Sequence, residues 1–142
     1  MTLEELEQKL QVLADIEDIK KLHTDYVYWL INHRWEDIID CFADNATADI
    51  WHHGTGKGKA GITELFREVI AREVPRGGGH LLAQPVISVQ GDKASGYWLM
   101  YIFFPQPSGG WIQGRYDCEY IKVGGKWKFS SLKFTAPWPE QS

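Results

Sequence analysis

The sequence predicts an α+β fold, with helices packed on one face of a curved, mainly antiparallel sheet. Three observations carry that expectation. Helix-period hydrophobic patterns occupy the chain up to Pro75. From His80 onward every apolar run is strand-like and is cut by glycine turns. The length, 142 residues, suits a single domain with a core large enough to hold itself.

Thr2-x-x-Glu5 forms a capping box for a first helix, in which Leu3, Leu6, Leu10 and Leu13 follow helical spacing. Asp15-x-x-Asp18 offers a second cap, so a kink is expected near Ala14–Asp15. Ile16, Ile19, His23, Tyr26, Val27 and Leu30 then share one face until Asn32-His33 breaks the helix. Trp35 to Phe42 reads as a short second helix, Ala43-Asp44-Asn45 as a turn and Ala46 to Trp51 as a short strand. Gly54, Gly56, Gly58 and Gly61 match neither G-x-G-x-x-G nor a Walker loop, so they read as a turn rather than a phosphate cradle. The third helix that follows has Ile62, Leu65, Phe66, Val69 and Ile70 on one face, and Pro75 stops it. Gly77-Gly78-Gly79 connects it to four candidate strands, His80–Gln90, Lys93–Phe104, Trp111–Val123 and Lys126–Ala136. Gly91-Asp92 and Gly124-Gly125 are tight hairpin turns, and 105–110 is a longer loop. Strands joined by short turns are antiparallel neighbours.

The Lys93–Phe104 strand is apolar on both alternating faces, whereas an antiparallel strand usually keeps one polar face. One face is therefore expected against the helices or a cavity, and the other against a second copy of the chain, as a homodimer through the sheet.

Composition narrows the function classes. Fifteen Lys+Arg against nineteen Asp+Glu leave a net charge of −4, which supplies no basic face for nucleic acid. No apolar run is long enough to span a bilayer, and the acidic start lacks a secretory leader, so a cytoplasmic location is expected. Cys41 and Cys118 form neither a metal motif nor a disulfide framework and read as core residues. Adjacent His52 and His53, if on a strand, point to opposite faces and do not chelate one metal; no metal and no cofactor are expected. Aromatic residues make up 13% of the chain, including seven Trp, and need pockets or packing partners.

Taken in order, several motifs resemble the nuclear-transport-factor-2-like superfamily and, within it, the SnoaL-like group. They are Leu13-Ala14-Asp15-Ile16-Glu17-Asp18-Ile19 with Tyr26, Trp35-Glu36-Asp37-Ile38, Cys41 to Thr47, Gly58-Lys59-Ala60-Gly61-Ile62, the His80-led strand, and Gly114-Arg115-Tyr116-Asp117 with Gly125-Lys126-Trp127. The resemblance covers nearly the whole chain and implies a cone-shaped domain with an internal apolar pocket. It also implies a chemistry common to dehydratases, dehydrochlorinases, isomerases and polyketide cyclases: proton transfer on a small hydrophobic substrate, without metal or redox cofactor. One fold hosts many functions, so the site residues must carry the argument.

His80 matches the histidine of the dehydratase-like members and is the candidate base, because a neutral imidazole takes a proton and returns it near neutral pH. Tyr26 matches a helix-one tyrosine that holds a substrate oxygen. Where relatives carry an aspartate that orients the histidine, this chain has Ile31. Asn32 lies beside it, and Asp49, Asp117 or Glu119 are the substitute carboxylates. Trp98 stands where scytalone dehydratase has a second histidine. Trp51, Trp98, Tyr116 and Phe104 are expected to line a pocket for a planar ring, His53 to rim it, and Lys133 to offer positive charge. Two other readings stand beside this lyase or isomerase: a non-catalytic small-molecule binder of the same fold, and an accessory subunit like the small subunit of ring-hydroxylating dioxygenases.

Overall fold

The computed structural model describes residues 1–104 and 109–140. The loop expected at 105–110 therefore falls outside the described residues except for its two glycines.

Helix α1 spans Leu3–Ile31 and is capped by Thr2, whose hydroxyl accepts from the Glu5 amide at 3.1 Å. The kink expected at Ala14–Asp15 is not there. Asp15 does not cap the backbone. Its carboxylate turns toward the sheet, accepting from Trp127 Nε1 at 3.0 Å and pairing with Lys122 Nζ at 2.8 Å. Burial raises the Asp15 pKa, but the hydrogen bonds from Lys122, Trp127 and Gln11 outweigh it and hold the carboxyl below its ordinary value. Asp15→Ala is thus expected to cost about 1–3 kcal/mol in urea unfolding, since a buried indole N–H loses its acceptor; an unchanged midpoint would show the tie to be idle. The inner face of α1 is buried at Ile19, His23, Tyr26, Val27 and Leu30, while Leu3, Leu6, Leu10 and Leu13 are exposed. Asn32 ends the helix, and His33 turns the chain with φ 56°.

Helix α2 covers Trp35–Asp40, shorter than expected, because Phe42 already begins strand β1, Phe42–Ile50. The turn expected at Ala43–Asn45 lies inside β1, in a register irregularity between Phe42 and Thr47. Strand β2, Gly54–Lys57, pairs antiparallel with β1 inside the glycine-rich stretch read as a turn. It packs tightly on helix α3, Gly58–Glu64: a Cβ on Gly56 would sit 2.7 Å from the Gly61 carbonyl oxygen. The glycines thus serve close packing, and Lys59 donates to the Ile39 and Phe42 carbonyls at 2.9 and 2.6 Å. A π-helical stretch, Leu65–Ile70, and a last turn, Ala71–Glu73, carry α3 onward; Val74 is extended, as a residue before Pro75 must be.

Strands β3 (Gly79–Gln90), β4 (Lys93–Phe103), β5 (Trp111–Val123) and β6 (Lys126–Thr135) form an antiparallel meander, each within one residue of the expected bounds. The six-stranded sheet runs β2-β1-β6-β5-β4-β3, with β1 and β6 its one parallel pair among the described residues. β3 is an edge strand, which tolerates Pro85 at a bulge where Gln84 has φ 53°. The inner face of β4 and β5 buries Trp98, Met100, Tyr116, Cys118 and Tyr120 beneath α1. Tyr97 of β4 and Trp111 of β5 are exposed on the outer face.

Candidate functional site

One cavity of about 190 Å³ opens between α1, the end of β1, the end of the α3 continuation and the inner face of the sheet. Tyr26 and Leu30 line it from α1, Met100 and Ile102 from β4, Tyr116 from β5 and Phe134 from β6. Trp51, His52 and His53 close it from the turn after β1, Glu73 and Val74 from the helix end, and His80 from the start of β3. Its wall is mainly apolar. Tyr116 and Phe134 stack at 4.8 Å between ring centroids, and the Phe134 ring lies against Gly114. A Cβ at Gly114 would overlap that ring and reach within 2.9 Å of the Thr135 carbonyl oxygen. Gly114→Ala is accordingly expected to push Phe134 toward the cavity and cost about 1–3 kcal/mol; thermal unfolding at wild-type temperature would contradict this.

Six of the expected residues meet here: Tyr26, Trp51, His53, His80, Phe104 and Tyr116. His80 is partly buried, and its Nδ1 lies 3.1 Å from the Gly78 carbonyl oxygen. A carbonyl only accepts, so Nδ1 carries the proton and the Nε2 lone pair is free. Burial lowers the His80 pKa, against a raising effect of the Gly78 bond, so the ring is neutral near pH 7. Among the described residues no carboxylate hydrogen-bonds His80. Ile31, where the resemblance places the missing aspartate, borders a second depression that His80 also lines. Burial, and then the neighbouring Tyr116, hold the Tyr26 phenol well above its usual range, and burial pushes the Tyr116 phenol up as well. Both hydroxyls are therefore protonated.

The other expected residues lie elsewhere. Trp98 is in the core beyond the cavity, donating to the Tyr120 hydroxyl at 3.2 Å and packing on His23, because its strand position falls deeper under α1. Asn32 is exposed, its amide donating to the Tyr28 carbonyl at 2.9 Å. Asp49 is exposed and accepts from Thr55 at 3.2 Å. Asp117 pairs with Arg115 at 2.9 Å on the outer face, and Glu119 shares that face, since Tyr116 and Cys118 point inward. Lys133 is exposed as well, and no Lys or Arg lines the cavity among the described residues. Burial pushes both thiols up, which fits Cys41 and Cys118 as core residues.

Sequence reasoning missed three groups. His52 and His53 sit in a turn rather than on a strand, because Trp51 adopts φ 50°; their rings lie 4.3 Å apart on the same side. With Glu73 they offer ligand atoms within 4.8 Å of one another, so the expected opposition of the two histidines does not hold. Glu73 faces the cavity because the helix continues two residues short of Pro75; its place one turn after Val69 and Ile70 was the available signal. His23 is fully buried against Tyr26, Trp98, Tyr116 and Phe129. Its Nδ1 meets the Tyr120 hydroxyl at 3.3 Å and its Nε2 has no partner.

Helices laid over a curled six-stranded sheet that encloses such a cavity define the nuclear-transport-factor-2-like class of fold. The chain belongs to the SnoaL-like family, whose domain matches residues 11–133. No curated protein matches the sequence significantly. Solved structures do. An NTF2-like protein with a cystatin-like fold from Novosphingobium aromaticivorans superposes with a TM-score of 0.82 at 20% identity, covering 98% of this chain and 92% of that one. A putative scytalone dehydratase from the same species gives 0.72 at 19% identity, covering 92% and 91%. A hexachlorocyclohexane dehydrochlorinase from Novosphingobium barchaimii gives 0.75 at 24% identity, covering 89% and 88%. These likenesses speak to the fold.

Proposed function

We propose that the chain is a cofactor-independent lyase or isomerase that moves a proton on a small, neutral, hydrophobic hydroxy- or keto-substrate. One observation carries the reading: a neutral imidazole with a free Nε2 and two protonated phenols converge on one small apolar cavity. An apolar cavity of roughly 150 Å³ accepts benzene. About 190 Å³ therefore suits one ring with short substituents. The lack of a lining cation disfavours an anionic substrate. His80 accepts a proton through Nε2, and Tyr26 and Tyr116 donate to the oxygen on which charge develops. Structural neighbours named as a putative scytalone dehydratase and a hexachlorocyclohexane dehydrochlorinase support this class.

A second reading, binding without turnover, is favoured by the lone Gly78 carbonyl behind His80, which stabilises an imidazolium less than a carboxylate would. The two part on one experiment. Single-ring ketones and hydroxy-ketones are incubated with the protein in D2O and followed by mass spectrometry. Incorporation of deuterium beside the carbonyl, cut about 100-fold by His80→Ala, is the expected result. Saturable binding with no deuterium after days would leave the binding reading standing.

The homodimer belongs to this proposal. Leu81, Tyr97 and Trp111 form an exposed apolar outer face, with fractional exposures of 54%, 42% and 62%. A second copy of the same face would cover it. Light scattering is expected to give twice the chain mass at micromolar concentration; a monomer there would remove the dimer.

A further inference from the structure

His80 accepts its proton beside a single carbonyl, and a base beside a carboxylate would carry the resulting charge better. We infer that His53, held by Glu73, is a second proton-transfer group of this cavity and the one built to carry the charge. The inference rests on the proposed function. Its observations are separate from those at His80.

His53 Nδ1 lies 3.1 Å from Glu73 Oε2, and the His53 side chain is only 8% exposed. A carboxylate accepts, so Nδ1 carries the proton and Nε2 is the free basic atom, on a ring that lines the cavity. When Nε2 takes a proton, the imidazolium sits against a carboxylate instead of a carbonyl dipole. The resemblance puts such an oriented base at His80, where this chain has Ile31 in place of the carboxylate; at His53 the carboxylate is present.

The local backbone is shaped for it. A tryptophan at φ 50° is uncommon, and bulky residues persist there only where the surroundings hold them. Here the Trp51 amide donates to the Phe134 carbonyl at 2.9 Å and the His53 amide to the Ile50 carbonyl at 2.9 Å. The Trp51 ring meets the His53 ring edge-on at 5.8 Å. The turn thus brings His53 to the helix end, and the helix stops just after Glu73.

In the step itself, His53 Nε2 removes a proton from the carbon next to a carbonyl. The C–H electron pair becomes the new C=C bond of an enolate, and the carbonyl electrons move to oxygen, where the Tyr26 and Tyr116 hydroxyls donate to it. Where the enolate is conjugated with a second double bond, the imidazolium, paired with Glu73, then returns the proton to the far carbon, which completes an isomerisation. In an elimination the same electron pair instead expels the leaving group.

The test uses 5-nitrobenzisoxazole, a small planar carbon acid. A base removes its C–H proton, the N–O bond breaks, and a coloured nitrophenolate forms. The 142-residue chain is expected to accelerate this reaction beyond an equal concentration of free imidazole. His53→Gln and Glu73→Gln should each reduce the rate at least tenfold. Glu73→Asp should recover part of the loss, because a carboxylate orients and compensates the ring where an amide only fills space. Far-ultraviolet circular dichroism checks that each variant is folded, and His53→Asn stands in should His53→Gln fail to fold. If His80→Gln abolishes the reaction while His53→Gln leaves it intact, this inference falls and the proposed function survives. If the wild-type protein gives no acceleration and the D2O experiment shows no exchange, both fall. Activity lost in chelator and regained with zinc would overturn the inference in favour of a metal held by His52, His53 and Glu73.

Discussion

Acidification from pH 6.5 toward 3 is expected to remove stability at up to about 1.4 kcal/mol per pH unit through His23 alone. Burial lowers the His23 pKa from 6.5 to about 3. The unfolded chain takes up a proton on this ring below 6.5, and the folded chain refuses it until about 3. Acid therefore favours the unfolded state across that window, and the contribution is complete above it. His23→Gln does not titrate there, so its urea midpoint should fall much less between pH 7 and pH 5. In that range Asp15 contributes nothing, because its ordinary value is 3.8 and its folded value is lower. His80, also lowered by burial, adds a smaller slope of the same sign that both proteins retain. Parallel pH dependence in the two proteins would show that His23 is not the acid-sensitive group. The unpartnered Nε2 points the same way: this ring is tolerated in the core as a neutral, packed aromatic group.

Ile31→Asp is expected to turn His80 into a stronger base. Ile31 and His80 border the same depression, and the helix end beside it is held by the Gly77 amide donating to the Ile31 carbonyl at 2.8 Å. A carboxylate there should raise the His80 pKa from its lowered value, because it favours the imidazolium that burial disfavours. Resolved imidazole signals in a proton NMR titration report this directly. The His80-dependent exchange in D2O should rise by about tenfold or more, since an oriented, charge-compensated base is the more effective one. An unmoved His80 titration would mean that the two positions do not communicate.

The meander was legible because its signals are local. Hairpin glycines and alternating apolar residues set β3 to β6 within one residue of their observed ends. The inner face of α1 was legible for the same reason, since Ile19, His23, Tyr26, Val27 and Leu30 repeat at helical spacing. Strand β2 was not, because four residues rich in glycine carry no strand pattern, and its pairing partner supplies the structure. The kink at Asp15 failed likewise. A capping residue is ambiguous until its acceptor oxygen finds Trp127, 112 residues away.

The site divides along the same line. By itself the sequence determined the fold class, the SnoaL-like resemblance, and the placing of His80, Tyr26 and Trp51 among the cavity residues. Residue type and the match to the family's motifs are enough for that. Only the tertiary structure decided which face of β5 turns inward, sending Asp117 and Glu119 outward, and which carboxylate meets which histidine. Pairing His53 with Glu73 needs the positive φ at Trp51 and the end of the α3 continuation to meet across twenty residues. That contact is set by packing, which no local pattern encodes.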